Sequence, residues 1–343
     1  MIDFRYHLVS IIAVFLALAI GIVVGANELQ PTTETALNKA ARAVTQQNQS
    51  LTRQNKILQQ QVSADQDFAQ AAAPRLLGHL LAGQSVVLVT APGADGQVIA
   101  GVTTALQQAG ATVTGQLSLS AQFFEGTDRA EGNLTQLAQS LASAAGMTVP
   151  NQPASDPVSG QTEAAQVIAA AIVSKNGAGL TGAQGHAILD GFGQNGYLQI
   201  SNTGSGSATA LAQATMAVVI APSTPPTGTG SNAANLALIT VAQQLQAASH
   251  GTVLAGSQAG SVPGSAIDQV SGTGKVSTVD YADMAVGQVV TAQALWELLT
   301  GHAPTSYGVN PGAVPSPAPT PSASPTTGPP ASPSAGAARQ VKK

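Results

Sequence analysis

Leu8-Val-Ser10-Ile-Ile-Ala-Val-Phe15-Leu-Ala-Leu-Ala-Ile20-Gly-Ile-Val-Val-Gly25-Ala26 is a run of about nineteen residues without a charge. As a helix rising ~1.5 Å per residue it reaches ~28 Å, close to the ~30 Å hydrocarbon thickness of a bilayer. Its flanks are polar, with Asp3, Arg5 and His7 before it and Asn27 and Glu28 after it, and Phe4 and Tyr6 stand where an interfacial aromatic belt would lie. A cleaved signal peptide would have a shorter apolar core of about 7–15 residues and a more basic start, although Val24-Gly25-Ala26 does offer a small-residue cleavage site. A helix packed on the surface of a soluble domain would keep a polar face, whereas this run is apolar on all faces over its whole length, which sets the soluble-helix reading behind the anchor. The reading is a single-pass signal-anchor over residues 1–30. Arg5 and the α-amino group precede the span, Glu28 follows it, and the next basic residue is Lys39. That bias predicts a cytoplasmic N-terminus and an extracytoplasmic C-terminal domain.

Composition bounds the remainder. The chain has 343 residues, of which 8% are charged and 3% aromatic, with a formal net charge of −4. There is no basic footprint for nucleic acid. Cys is absent, which removes disulfides, thiolate metal sites and a Cys nucleophile together. So few aromatics also argue against a transmembrane β-barrel, which carries aromatic girdles at both interfaces.

After Pro31 the text turns to Gln, Ala, Asn and Leu, with Thr32 or Thr33 placed to cap a new helix. Leu37, Val44, Leu51 and Leu58 recur every seven residues. With these at d, positions a hold Ala41, Asn48, Asn55 and Val62. Asn at a lowers stability but pairs with its own copy across a parallel interface, fixing register and oligomer state. Residues 31–75 therefore read as a coiled-coil helix forming a parallel homodimer through residues 37–62; the alternative is a lone amphipathic helix lying on its own domain. Pro74 is expected to end it, with a short linker helix over 75–83.

From Ser85 the period changes. Ser85–Thr90, Ala111–Ser118, Tyr197–Ser201, Met216–Ala221, Gly251–Ala255 and Val276–Asp280 read as strands, the apolar ones buried on both faces. Between them, 97–108, 127–145, 163–174, 177–190, 232–248, 265–270 and 284–299 read as helices, with Thr181 and Gln184 forming a capping-box pattern and Asp283 capping the last helix. Strands alternating with helices predict a layered, mostly parallel α/β (Rossmann-like) domain over residues 76–303. Residues 304–343 are rich in Pro, Ser, Ala and Thr and read as a tail that cannot bury enough apolar surface to order itself.

Chemistry is sparse. His7, His79, His186, His250 and His302 are far apart in sequence, and Met1, Met147, Met216 and Met284 are scattered, with Met216 and Met284 in apolar runs that suit core filling. Gly204-Ser-Gly206-Ser-Ala-Thr209 lacks the third small residue and the later acidic residue of a dinucleotide fingerprint, and Ala91–Gly96 lacks the pattern and a Walker Lys. Ser257 and Ser261 lie in a Gly-rich loop without a nucleophile elbow. Asp280, Tyr281 and Asp283 cluster at the carboxyl end of a strand, where ligands bind in open sheets, but Asp280 closing the strand and Asp283 capping the next helix is the preferred reading. Neither catalytic nor cofactor-binding residues are assigned, and the chain is read as no enzyme.

Two stretches carry a resemblance. Met1-Ile-Asp-Phe-Arg5-Tyr-His7-Leu-Val-Ser10, running into Ala13–Leu18 and Gly21–Gly25, and Val276-Ser-Thr-Val-Asp280-Tyr-Ala-Asp283 with Gly287-Gln-Val-Val290 and Ser306-Tyr-Gly308, are similar to the two ends of the actinobacterial copper transport protein B family (MctB). The resemblance implies a role in copper homeostasis or export in the cell envelope, and copper enters the reading only this way. Some members of that family look instead like anchored partners in septum formation, which implies a dimeric, non-enzymatic scaffold with an envelope protein as partner. One uncharged span per chain supplies no conduction path by itself.

Overall fold

The computed structural model describes residues 4–153, 156–175, 177, 179–201 and 211–317. It divides into two units, Met1–Phe68 and Ala69–Lys343.

The first unit is helical. It holds most of α1 (Phe4–Leu77, 74 residues), in which Tyr6–Gly25 is long and apolar enough to cross a membrane and is nowhere buried. The helix runs unbroken through Pro31 and Pro74, where the sequence reading placed a fresh start and an end. A proline inside a helix forfeits one backbone bond and costs ~3 kcal/mol. The long run that follows Pro31, Ala36–Leu58, is rich in Ala, Leu and Gln and favours helix. Beyond Pro74 one more turn forms because it buries Leu77 completely, beside Ala73, in the core of the second unit. The linker helix expected over 75–83 is thus the end of α1 followed by turns, with His79 (φ 65°) and Gly83 (φ 77°) left-handed. Along the first unit Leu37, Val44, Leu51 and Leu58 touch little of their own chain, with exposures of 70, 57, 49 and 56%.

The second unit is a mixed, mostly parallel α/β domain. In chain order it comprises β1 (Ser85–Thr90), α2 (Gly96–Gln108), β2 (Thr112–Leu119), a 3-10 turn (Ala121–Phe124), α3 (Asp128–Ala144), α4 (Ser159–Ile172), α5 (Gly182–Gln194) and β3 (Leu198–Ser201). It continues with β4 (Met216–Ile220), α6 (Ser231–Ala248), β5 (Thr252–Ala255), α7 (Ala266–Val270), β6 (Ser277–Val279), α8 (Ala285–Leu299) and β7 (Ser306–Tyr307). The strands form one sheet in the order β3-β2-β1-β4-β5-β6-β7, every neighbouring pair parallel except β2–β3.

Period-two alternation builds two cores. Val86 and Leu88 of β1 face one way with Val218 and Ile220, against the end of α1, α2 and α8; Val87 and Val89 face the other way with Leu117 and Val219, against α3, α4, α6 and α7. This is why Val86–Val89 and Met216–Ile220 read as unbroken apolar runs: both faces are covered. Thr181 caps α5 in the expected capping box with Gln184.

Two further readings change, and the one antiparallel pair of the mostly parallel sheet is located. β3 is antiparallel to β2, because the long α3–α4–α5 excursion returns the chain to the sheet edge from the opposite end. Asp283 does not cap α8: Met284 is the N-cap residue without a side-chain bond, and Asp283 Oδ1 accepts from the backbone N–H of Gln258 at 3.1 Å. The stretch read as a tail from Pro304 contains β7, which pairs with β6, and Val314 bridges back to Tyr307. Two paired residues are too short for sequence pattern to signal. Residues 318–343 lie outside the described residues.

Candidate functional site

Strand order turns back between β1 and β4, and in open α/β sheets ligands bind at the carboxyl ends of the strands at such a switch point. Here two proline-bearing turns close it. Ala91-Pro92-Gly93 follows β1 and Ala221-Pro222-Ser223 follows β4, and Ser223 donates both its backbone N–H (2.9 Å) and its hydroxyl (3.0 Å) to the carbonyl of Gly93. The N-terminus of α2, where a phosphate would sit, is already served by a carboxylate: Asp95 Oδ1 accepts from Gln97 N–H at 2.8 Å. An anion would meet that charge rather than free donors. The Gly204–Thr209 segment lies outside the described residues.

Beside the closed turns lies an apolar groove of about 240 Å³, lined chiefly by Pro92, Phe124, Pro222, Pro226 and Leu238. No charged residue lines it. Asn235, also in its wall, donates its amide to the Gly264 carbonyl at 2.8 Å. The groove went unseen in the sequence because its walls come from four separate segments; the Pro and Phe content of three of them was the available signal.

Further along the same rim, the Asp280 and Ser306–Gly308 motifs meet. Asp280 is buried, and its carboxylate accepts the backbone N–H of Val309 (3.0 Å) and of Asn310 (2.8 Å). A Cβ on Gly308 would overlap that carboxylate. Tyr281 donates its hydroxyl to the Pro315 carbonyl at 2.6 Å, and Asn310 donates its side-chain amide to the Ser261 carbonyl at 2.7 Å. Gly287 packs against the Tyr281 carbonyl too closely for any side chain. Every polar atom named here is turned to the protein's own backbone, so the cluster works as a clasp holding 306–315 against β6 and the following loop.

Burial, and secondarily the Asp280 charge, push the Tyr281 phenol up to about 12. Burial and its bond to Glu297 raise Tyr307 as well. A phenol raised in the folded state contributes stability that is complete below its unfolded value of ~10 and lost as pH rises through ~12. Unfolding free energy is therefore expected to fall between about pH 10 and 12, and less so in Tyr281→Phe; urea titrations at stepped pH measure it, and a flat profile to pH 12 would contradict the clasp.

Met216 is fully buried among apolar side chains, Met284 starts α8, and Met147 lies in the loop after α3. His250 donates its backbone N–H to Thr215, next to Met216 in sequence, at the opposite rim from the groove. Among the described residues no three His, Asp or Glu stand close enough to hold a metal ion.

One long helix whose Tyr6–Gly25 part is long and apolar enough to cross a membrane, followed by a mostly parallel α/β domain, is the architecture of a single-span membrane protein. The profile of the family described as "Copper transport outer membrane protein, MctB" matches residues 1–317, and the chain belongs to that family. It is 27% identical to the copper transporter MctB of Mycobacterium tuberculosis (strain ATCC 25618 / H37Rv) over 324 residues, covering 92% of this chain and 98% of the relative. To the copper transporter MctB of Mycobacterium leprae (strain TN) it is 29% identical over 321 residues, covering 91% and 98%.

Proposed function

We propose that this protein serves copper homeostasis in the cell envelope as a membrane-anchored parallel dimer that acts through protein contacts. The observation that carries the reading is the stripe of Leu37, Val44, Leu51 and Leu58, left exposed at seven-residue spacing on the helix that continues from the membrane span. Apolar residues every seven positions with Asn48 and Asn55 between them suit a two-stranded seam. Two chains inserted in one membrane would present that seam in parallel. Arg5 before the span and Glu28 after it favour an extracytoplasmic α/β domain. Strand order 3-2-1-4-5-6-7 supports reading that domain as Rossmann-like, used here as a contact platform whose switch point is occupied by prolines.

The copper role comes from the family. Cu(I) prefers thiolate and thioether ligands, and this chain offers no Cys and four scattered Met. The test is an anaerobic competition between a Cu(I) chelator and the full-length protein in detergent. Binding no tighter than a surface histidine is the expected result, with any copper phenotype arising through a partner. Stoichiometric binding that withstands the chelator and is lost on replacing Met216, Met284 or His250 would overturn the contact reading in favour of direct transport. A second reading, a scaffold for wall assembly or septation with no copper role, is favoured by the single uncharged span, which lines no ion path alone. It is separated by a deletion strain: septation defects in copper-free medium, with unchanged copper tolerance, would select it.

A further inference from the structure

We propose that the groove beside the closed β1/β4 switch point is the docking site for the chain's own proline-rich segment Ala318–Pro333, bound as an extended peptide. The groove wall of Pro92, Phe124, Pro222, Pro226 and Leu238 is apolar and uncharged. Aromatic- and proline-lined grooves suit polyproline II peptides, whose ordering is largely prepaid by the stiffness of proline. Ala318-Pro-Thr-Pro321-Ser-Ala-Ser-Pro325-Thr-Thr-Gly-Pro329-Pro-Ala-Ser-Pro333 has that composition and no charge.

The segment also starts in the right place. Pro315 is held by Tyr281 at the carboxyl end of β6, Asn310 bonds the Ser261 carbonyl of the next loop, and Ser257 in that loop reaches the Ser223 carbonyl (3.4 Å) beside Pro222. The three loops stand in a row along one rim. β4 and β1, whose loops flank the groove, are two and three strand spacings from β6, roughly 10–15 Å, which about five extended residues can span. A tether this short gives an effective concentration in the millimolar range, so a weak groove contact suffices. Occupied in this way, the groove is closed to competing proline-rich partners. This inference is independent of the dimer and of copper.

Two measurements test it. First, a photo-reactive residue replaces exposed Thr224 at the groove's edge in the full-length protein. Cross-links to 318–333 of the same chain, at monomer mass, are expected; links to a second chain, or none to this segment, overturn the proposal. Second, a labelled peptide of sequence 318–333 is titrated by fluorescence anisotropy against the full-length protein and against a chain ending at Pro317. The shortened chain keeps every described element. It should bind at least tenfold more tightly than the full-length protein, whose groove is self-occupied, and Ala234→Arg on the helix wall should weaken that binding at least tenfold. Equal affinity for both chains, no binding to either, or indifference to Ala234→Arg would each overturn it.

Discussion

Gly308→Val lowers the stability of the α/β domain by about 3 kcal/mol, a loss of roughly 6–12 °C in Tm for a domain of this size. The position has no room for a side chain, since any Cβ overlaps the Asp280 carboxylate, and its φ of 156° is one that side chains disfavour. Asp280 cannot retreat, because its oxygens already hold Val309 and Asn310. Displacing it strands two backbone donors in a buried setting, at about 1–3 kcal/mol each. Asp280→Ala strands the same donors without the overlap and is expected to cost about 2–4 kcal/mol on the same basis. Urea unfolding of the full-length protein in detergent, followed by the near-UV signal of Trp296, reads both variants. A Gly308→Val change within ~0.5 kcal/mol of the parent, the range of an inert surface substitution, would show that the clasp contributes nothing.

Leu51→Glu together with Leu58→Glu is the second large effect. Each residue is about half exposed in its own chain, so neither substitution should disturb the folding of the α/β domain. Across a parallel seam, however, each places two carboxylates against one another at a d position. Dimer affinity should fall at least a hundredfold, which is about 2.7 kcal/mol, with helix content kept. Replacing Asn48 and Asn55 by Leu acts oppositely: association strengthens while oligomer specificity loosens. Sedimentation of the full-length protein in detergent measures both. Unchanged sedimentation in the double Glu variant would remove the seam from the account.

Legibility in the sequence followed the kind of signal each element carries. The span, the two-face-buried strands β1 and β4 and the Thr181 capping box were readable because each is local and spelled out by period or pattern. Pro74 misled because proline's local cost was weighed without the burial of Leu77 that offsets it, and Pro31 because it was weighed without the helix preference of the long run that follows. β7 was unreadable because two residues, Ser306 and Tyr307, carry no period; only their pairing with β6 makes them a strand. The antiparallel return of β3 depends on where the α3–α5 excursion re-enters, which no segment encodes alone. At the site, Asp280 was found but its role was not. Strand closure and helix capping were the local expectations, whereas its partners lie about thirty residues onward, at Val309 and Asn310. Asp95 at the α2 N-terminus and the prolines filling the switch point explain physically why the missing nucleotide fingerprint is a property of the site and not only of the pattern.

The central claim, a parallel dimer seamed through residues 37–62, is tested most directly by cysteine cross-linking. The chain contains no Cys, so a single Asn48→Cys protein carries one thiol. A parallel, in-register seam sets the two copies of position 48 face to face, within the ~4.4–6.8 Å Cα separation a disulfide needs. Oxidation in native membranes should give a covalent dimer rapidly, whereas Lys39→Cys, off the seam, should not. A membrane-impermeant oxidant applied to intact wall-stripped cells should suffice if the domain faces outward. Rapid cross-linking only after lysis would reverse the orientation and keep the dimer. Failure of Asn48→Cys to cross-link in either case, with the protein present and membrane-bound, would contradict the parallel seam.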